Sequence, residues 1–525
     1  MPDVLIYDTT LRDGAAREGL TFSLEDKLKI LRHLDAFGIH YVEGGYPASN
    51  PKDLEFFDAA SEIDLQTAKL VAFGSTRRAL ISASRDKEMR ALVKSGAKAA
   101  CIFGKSWDFH VETALKISLD ENIYMIEESV KYLKKKELEV IYDAEHFFDA
   151  FKENPKYALR TVEAAAAAGA DWVVLCDTNG GTLPHEIAGI VREAREKVSA
   201  PLGIHAHNDS ECAVANTLSA VREGVRMVHG TINGYGERCG NANLCSVIPD
   251  LVLKMNVDCM SRERLANLTE LSHYVSEVAN LTPDAHQPFV GLSAFAHKGG
   301  IHASAVAREA RTYEHIRPDL VGNIQRVVVS ELSGKSTLIM KAKEMDIDLE
   351  EESKTLSEIL KKIKQLEHVG YQFEAADGSF EILVRKALGT YKRFFRLESF
   401  RVIMEKREDG KVMTEATVKI HVGGKRLIAT AEGNGPVNAL DRAIRLVLAR
   451  SFPAIRNIEL TDYKVRVLDE KKGTAAVTRV LIETSDGEKN WGTIGVHENI
   501  IEASWEALVE SIEYGLMHKR QKPKE

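Results

Sequence analysis

Short apolar runs recur along residues 1–270, each parted from the next by an amphipathic stretch. VLIY from Val4, IHYVE from Ile39, KLVAF from Lys69, AACIF from Ala99, EVIYD from Glu139, WVVLCD from Trp172, LGIHAH from Leu202 and VRMVHG from Val225 read as strands. Between the first two, residues 23–37 put Leu24, Leu28, Leu31 and Leu34 on one helical face, with Ser23 in the N-cap position. Residues 122–136 and 155–168 read similarly. Eight strand–helix repeats, at about 30 residues each, predict an α/β fold, a (β/α)8 barrel; a doubly wound sheet is the alternative.

Beyond the barrel the texture changes twice. Residues 260–281 read as helix, 282–290 as a proline-bearing loop, and 297–345 as glycine turns with short helices. A charged helix, 350–368, ends before Gly370. From Phe394 onward strand alternation dominates in KVMTEATVKIHVGG, KVRVLDE and AVTRVLIETSDG, interrupted by helical patterns at 438–451 and 499–517. The closing HKRQKPKE reads as a frayed tail. The expected organisation is a barrel over 1–270, small helical subdomains over 271–390 and an α+β domain over 391–525.

Composition narrows the class of protein. Apolar residues make up 44% of the 525 and charged ones 28%, as in an ordinary globular chain. The net charge of −8 argues against a general nucleic-acid or membrane-surface binder. No apolar run approaches the ~20 residues that cross a bilayer. The start, MPDVLIYDTTLRDG, lacks the basic and apolar segments of a signal peptide. The six cysteines match no CxxC spacing, so a reducing cytoplasm is the expected location.

The polar residues fall at the strand ends, where a parallel barrel builds its active site. Strand one runs into Asp8, Arg12 and Asp13, strand two into Glu43, and strand five into Asp143, Glu145 and His146. Strand six ends in Asp177-Thr178-Asn179, strand seven in His205-Ala206-His207-Asn208-Asp209, and strand eight leads to Asn233, Glu237, Arg238 and Asn241. His205 and His207, two apart on a strand, face the same side and can reach one ion. With Asp13 they form an open N2O set suited to Zn, Mn or Mg; two histidines in a polar loop are the plainer alternative. Arg12 offers a guanidinium for a carboxylate, or else a structural ion pair. Glu145 stands where a general acid or base is useful, or else is a capping or surface carboxylate.

Other motifs fail. SGKS from Ser333 lacks the glycine a Walker loop needs at 329, which is Val. Gly234–Gly240 has one residue too many for GxGxxG, and GNGP at Gly433 reads as a turn.

The stretches DTTLRDG at 8–14, HAHND at 205–209, GTINGYGERCGNANL at 230–244, AFAHKGGIHASAV at 294–306 and TYEHIRPDLVGN at 312–323 resemble the 2-isopropylmalate, citramalate and homocitrate synthase family. GNGPVNALDRAIR and NWGTIGVHENIIEASWEAL resemble the family's regulatory, effector-binding and dimerising domain. EGGYPASNPKD at 43–53 and YDAEHFF at 142–148 look most like its long citramalate-forming branch. The resemblance implies a Claisen-type condensation of acetyl-CoA with a 2-oxo acid, pyruvate first, then 3-methyl-2-oxobutanoate or 2-oxoglutarate. It implies a divalent metal (Mn, Mg, Zn or Co) on Asp13, His205 and His207, with Asn241 as a further ligand. It implies that Arg12 and Thr178 hold the oxo acid and that Glu145, His302 and Tyr313 serve the chemistry, the last two supplied by the partner of a homodimer. Isoleucine is the implied effector. A hydroxymethylglutaryl-CoA-type lyase is the rival reaction, and a barrel reused as a sensor is the non-enzymatic rival. Ala15-Ala16-Arg17 departs from the polar pair that many family members carry after RDG.

Overall fold

The computed structural model describes residues 2–298, 300–329, 334–349, 354–468 and 476–519. The chain forms two units, Met1–Phe295 with Ile316–Gln325, and Ala296–His315 with Arg326–Glu525.

The first unit is a closed parallel barrel with its eight strands in sequence order. They are β1 (Leu5–Asp8), β2 (Tyr41–Gly45), β3 (Lys69–Ser75), β4 (Ala99–Lys105), β5 (Glu139–Glu145), β6 (Trp172–Asp177), β7 (Leu202–Ala206) and β8 (Met227–Gly230). Each lies on one of the apolar runs. Alternate residues of a strand point to opposite faces. Tyr7, Tyr41, Val71, Phe73, Cys101, Ile141, Val174 and Met227 therefore cluster apart, inside the barrel. Ile6, Val42, Ala72, Ile102, Val140, Val173, Ile204 and Val228 join the larger core against the helices.

The helices begin where the sequence offers caps. Ser23 and Asp26 form a reciprocal capping box on Leu24–Phe37, and Asn50 and Asn154 cap helices that open on Pro51 and Pro155. The helical pattern at 260–281 is two helices, Arg262–Leu265 and Leu268–Val278, parted where Asn267 leaves helical geometry.

The EGGYPASNPKD stretch has a structural task. Lys27 Nζ donates to Asp53 Oδ1 at 2.6 Å and to the Gly44 carbonyl at 3.1 Å, while Asp53 also accepts the Tyr46 amide at 2.8 Å. This buried pair fixes the end of β2, which carries Glu43. Lys27→Met is expected to destabilise the barrel by about 3–5 kcal/mol, because it leaves Asp53 buried without its cation; the urea-unfolding midpoint measures this.

The second unit opens with β9 (Ala296–His297) and β10 (Arg326–Val327), paired in parallel, and the helix Gly300–Arg308. Helices Lys335–Glu344, Lys354–His368 and Asp377–Ala387 share an apolar cluster that includes Leu338, Leu356, Ile359, Ile363 and Phe380. Then a three-strand antiparallel sheet plus helix occurs twice. The first copy is β11 (Arg396–Lys406), β12 (Val412–Val422), β13 (Lys425–Gly433) and helix Pro436–Leu448. The second is β14 (Glu459–Val467), β15 (Thr478–Ser485), β16 (Asn490–His497) and helix Ile500–His518. The two copies share one core, with Ala416, Ile420, Leu440, Ile444, Val480, Trp491, Leu508 and Ile512 inside it.

Ser333 of the SGKS run, residues 350–353 of the charged segment and residues 520–525 of the basic tail lie outside the described residues. Among the described residues no helix is long and apolar enough to cross a membrane.

Candidate active site

The turn after β1 is fixed before it delivers anything. Asp8 is fully buried and accepts both the Thr10 amide, at 2.9 Å, and the Thr10 hydroxyl, at 2.8 Å. The Thr10 hydroxyl in turn accepts the Ile232 amide at 2.9 Å, tying the loops after β1 and β8 together. Burial pushes the Asp8 carboxyl up to about 7.

This turn brings Asp13 to the end of β7. His205 Nε2 lies 3.2 Å and His207 Nε2 3.8 Å from Asp13 Oδ2, and all three side chains are buried. Burial pushes the Asp13 carboxyl up, but Arg12 and the two imidazoles outweigh it and hold Asp13 well below the usual carboxylate range. His205 loses to burial and gains more from Asp13, so its affinity for a proton rises. His207 is pushed down to about 4, by burial and then by His205, whose ring centre is 5.2 Å away.

Asn241 joins them through the backbone, as the antiparallel bridge partner of His207. Its Nδ2 donates to the Tyr235 carbonyl at 3.2 Å, while its buried Oδ1 has no partner. A carboxylate, two imidazoles that share it and an unpartnered amide oxygen form a donor set that fits a divalent cation. The loop that presents Asn241 folds closely. Gly236, at φ +158°, lies where a Cβ would run into the Asn241 amide. Cys239 is the exposed cysteine of that loop; the other five are half-buried or buried.

Arg12 is held by three neighbours. Its Nε donates to Glu43 Oε2 at 2.5 Å, its Nη1 is 3.6 Å from Asp13, and its guanidinium lies 3.8 Å above the Phe73 ring. Glu43 is fully buried, and its other oxygen accepts the Tyr7 hydroxyl at 2.7 Å. The ion pair that the sequence allowed as an alternative is therefore present. It uses Nε and Glu43, and the guanidinium remains beside Asp13.

Glu145 is half-buried and paired with Lys105, its register partner on β4. The Thr178 hydroxyl accepts the His146 amide at 2.9 Å, and its carbonyl accepts Arg238 Nη2 at 2.7 Å. Arg238 also makes a two-pronged pair with Asp209, at 2.8 and 2.9 Å, so one side chain laces the loops after β6, β7 and β8. Ala15 and Ala16 bring no polar group, and the Arg17 guanidinium sits 5.3 Å from the Tyr235 ring centre. The first unit thus brings together Arg12, Asp13, His205, His207 and Asn241 at one rim. His302 and Tyr313 belong to the second unit, where their rings stack at 4.1 Å and both are exposed.

Sequence reasoning assigned no role to Lys105, Tyr7 or His229, and left Glu43 and Asp143 as unassigned rim carboxylates. Strand parity is the signal for all five, since each faces inward at an odd position of its strand.

Three family models match in sequence order. HMGL-like covers residues 3–275, "Homocitrate synthase post-HMGL domain-like" covers 289–370, and "LeuA allosteric (dimerisation) domain" covers 374–516. The (R)-citramalate synthase of Geobacter sulfurreducens is 55% identical over 99% of this chain and 98% of its own length. That of Aquifex aeolicus is 54% identical over 98% of both chains. That of Sulfolobus acidocaldarius is 44% identical over 98% and 97%. The chain belongs to the HMGL-like family and, within it, to the (R)-citramalate synthases.

Proposed function

We propose that this enzyme condenses acetyl-CoA with pyruvate and, with water, releases (R)-citramalate and CoA, a step that would feed isoleucine synthesis. The observation that carries the reading is Arg12 next to Asp13. A guanidinium for a carboxylate adjoins donors for a cation, as a chelating 2-oxo acid requires. The names of the full-length relatives favour pyruvate among such acids.

Asp13, His205, His207 and Asn241 would hold the divalent metal (Mn, Mg, Zn or Co). When bound it polarises the keto carbonyl and takes up charge developing on its oxygen. Arg12, pinned at Nε by Glu43, holds the pyruvate carboxylate through its remaining N–H groups, with Thr178 assisting, so that one carbonyl face is presented. A base removes a proton from the acetyl methyl; we assign this to His302, whose stacked partner Tyr313 steadies the ring. The resulting enolate carbon bonds to the keto carbon, whose oxygen becomes a hydroxyl. Water then cleaves the thioester and CoA leaves. Glu145, paired with Lys105 at the end of β5, would accept and return protons near the reacting carbons.

We read 1–270 as the catalytic barrel, 271–390 as subdomains that complete the site and 391–525 as the regulatory domain of a homodimer in the cytoplasm. A cavity of about 970 Å³ between the helix Pro436–Leu448 and β14 supports an amino-acid effector. Leu446, Ile455 and Ile458 give it an apolar wall, while Arg442, Arg456 and Asp441 offer charges for an α-carboxylate and an ammonium. Isoleucine fits that chemistry.

The test is CoA release with pyruvate, 3-methyl-2-oxobutanoate and 2-oxoglutarate, each with and without isoleucine or leucine. Pyruvate is expected to give the highest kcat/KM, and isoleucine the stronger inhibition. Pyruvate ranking last would sink the substrate reading, and equal indifference to both amino acids the effector reading.

A further inference from the structure

A barrel interior is normally filled by branched apolar side chains. Here one part of it is polar. Asp143 from β5, His205 from β7 and His229 from β8 all face inward and are at least nine-tenths buried. One donor atom from each lies within 4.8 Å of the others. Asp143 Oδ1, His205 Nδ1 and both His229 nitrogens have no hydrogen-bond partner. His229 is locked in place, since its ring stacks on Tyr7 at 3.8 Å and 7°, and Glu43 holds the Tyr7 hydroxyl.

His205 turns Nε2 toward Asp13 and leaves Nδ1 as its inner atom. An imidazole that binds a metal through one nitrogen is oriented by what its other N–H donates to, commonly a carboxylate. A buried polar atom without a partner is costly, and the cost vanishes when two such atoms meet directly or through one water. We propose that Asp143 is the positioning carboxylate of His205. It accepts the Nδ1 proton across one water, fixes the tautomer that leaves Nε2 free for a metal, and is walled in by His229. The inference rests on reading Asp13, His205 and His207 as metal ligands.

The experiment measures Mn(II) binding to the full-length chain by equilibrium dialysis, together with thermal unfolding of the chelator-treated protein. Wild type, Asp143→Asn and Asp143→Leu are compared. The wild type is expected to bind one equivalent per chain. Asp143→Leu is expected to weaken binding about 10- to 100-fold, with the near-isosteric Asp143→Asn between the two. The metal-free melting temperature is expected to change little in Asp143→Asn, whose near-isosteric amide keeps an acceptor facing Nδ1, so that its loss of affinity outruns any loss of stability. Unchanged affinity in both variants overturns the proposal. So does a loss of affinity that merely tracks a loss of metal-free stability, which marks a packing role. A second equivalent that Asp143→Asn abolishes also overturns it, because the cluster would then be a metal site itself. A wild type that binds no Mn(II) defeats the metal reading on which the proposal stands.

Discussion

Asp13→Ala is expected to lower kcat/KM by about 10³-fold or more, because a Lewis acid contributes several kcal/mol at the transition state and each 1.36 kcal/mol is tenfold in rate. The carboxylate is the one charged member of the donor set, and both imidazoles turn Nε2 toward it. Without it the site keeps two imidazoles and an amide, and His205 loses the anion that raises its proton affinity. Activity and Mn(II) affinity should fall together. Asp13 is buried against Arg12 and both imidazoles, so its loss should also cost some stability, and the denaturation midpoint measured alongside separates that cost from the loss of Mn(II) affinity. A variant that binds Mn(II) normally and still turns over would show that the donor set is misassigned.

Arg12 should give a two-part result. Arg12→Lys keeps the charge but loses the planar fork that links Glu43 to the substrate carboxylate. KM for the 2-oxo acid is expected to rise about 10- to 100-fold, the equivalent of one charge-assisted hydrogen bond at roughly 1.5–3 kcal/mol. KM for acetyl-CoA should move far less. Arg12→Leu should in addition destabilise the barrel by about 3–5 kcal/mol, because Glu43 would be left buried and uncompensated. The double variant Arg12→Leu/Glu43→Leu should recover most of that stability and none of the activity. Stability lost equally by the double variant would mean that Glu43 is held by Tyr7 alone.

The barrel and the cluster of donor side chains at its rim were legible in the sequence because both follow from short-range periods. Strand runs with inward and outward alternation define the eight strands, and an i, i+2 pair of histidines at a strand end needs no knowledge of closure. What links β1 to its neighbours was not legible. Glu43 anchors Arg12 from 31 residues away, and Tyr7 meets His229 only because β8 closes against β1. The sequence reading of Arg12 kept clamp and ion pair as alternatives, whereas a guanidinium with five N–H groups can do both.

In the second unit the helix Asp377–Ala387 was missed. It carries Glu381, a charged side chain that is fully buried and satisfied by Arg385 at 2.6 Å and His518 at 3.0 Å. β11, β13 and β16 were not among the strand runs named from the sequence, and β16 carries glycines that weaken the strand signal. At Gly495 the carbonyl of Ala503 approaches so closely that no side chain fits.

The loop between Gly236 and Asn241 has a practical side. Its cysteine faces solvent while the other five are half-buried or buried, so a thiol-selective fluorophore should label the native chain first at Cys239. The dye would sit two residues from Asn241, on a loop laced to its neighbours by Arg238. Its anisotropy would follow the ordering of that rim as cation or oxo acid is added, a real-time occupancy signal that needs no engineered residue.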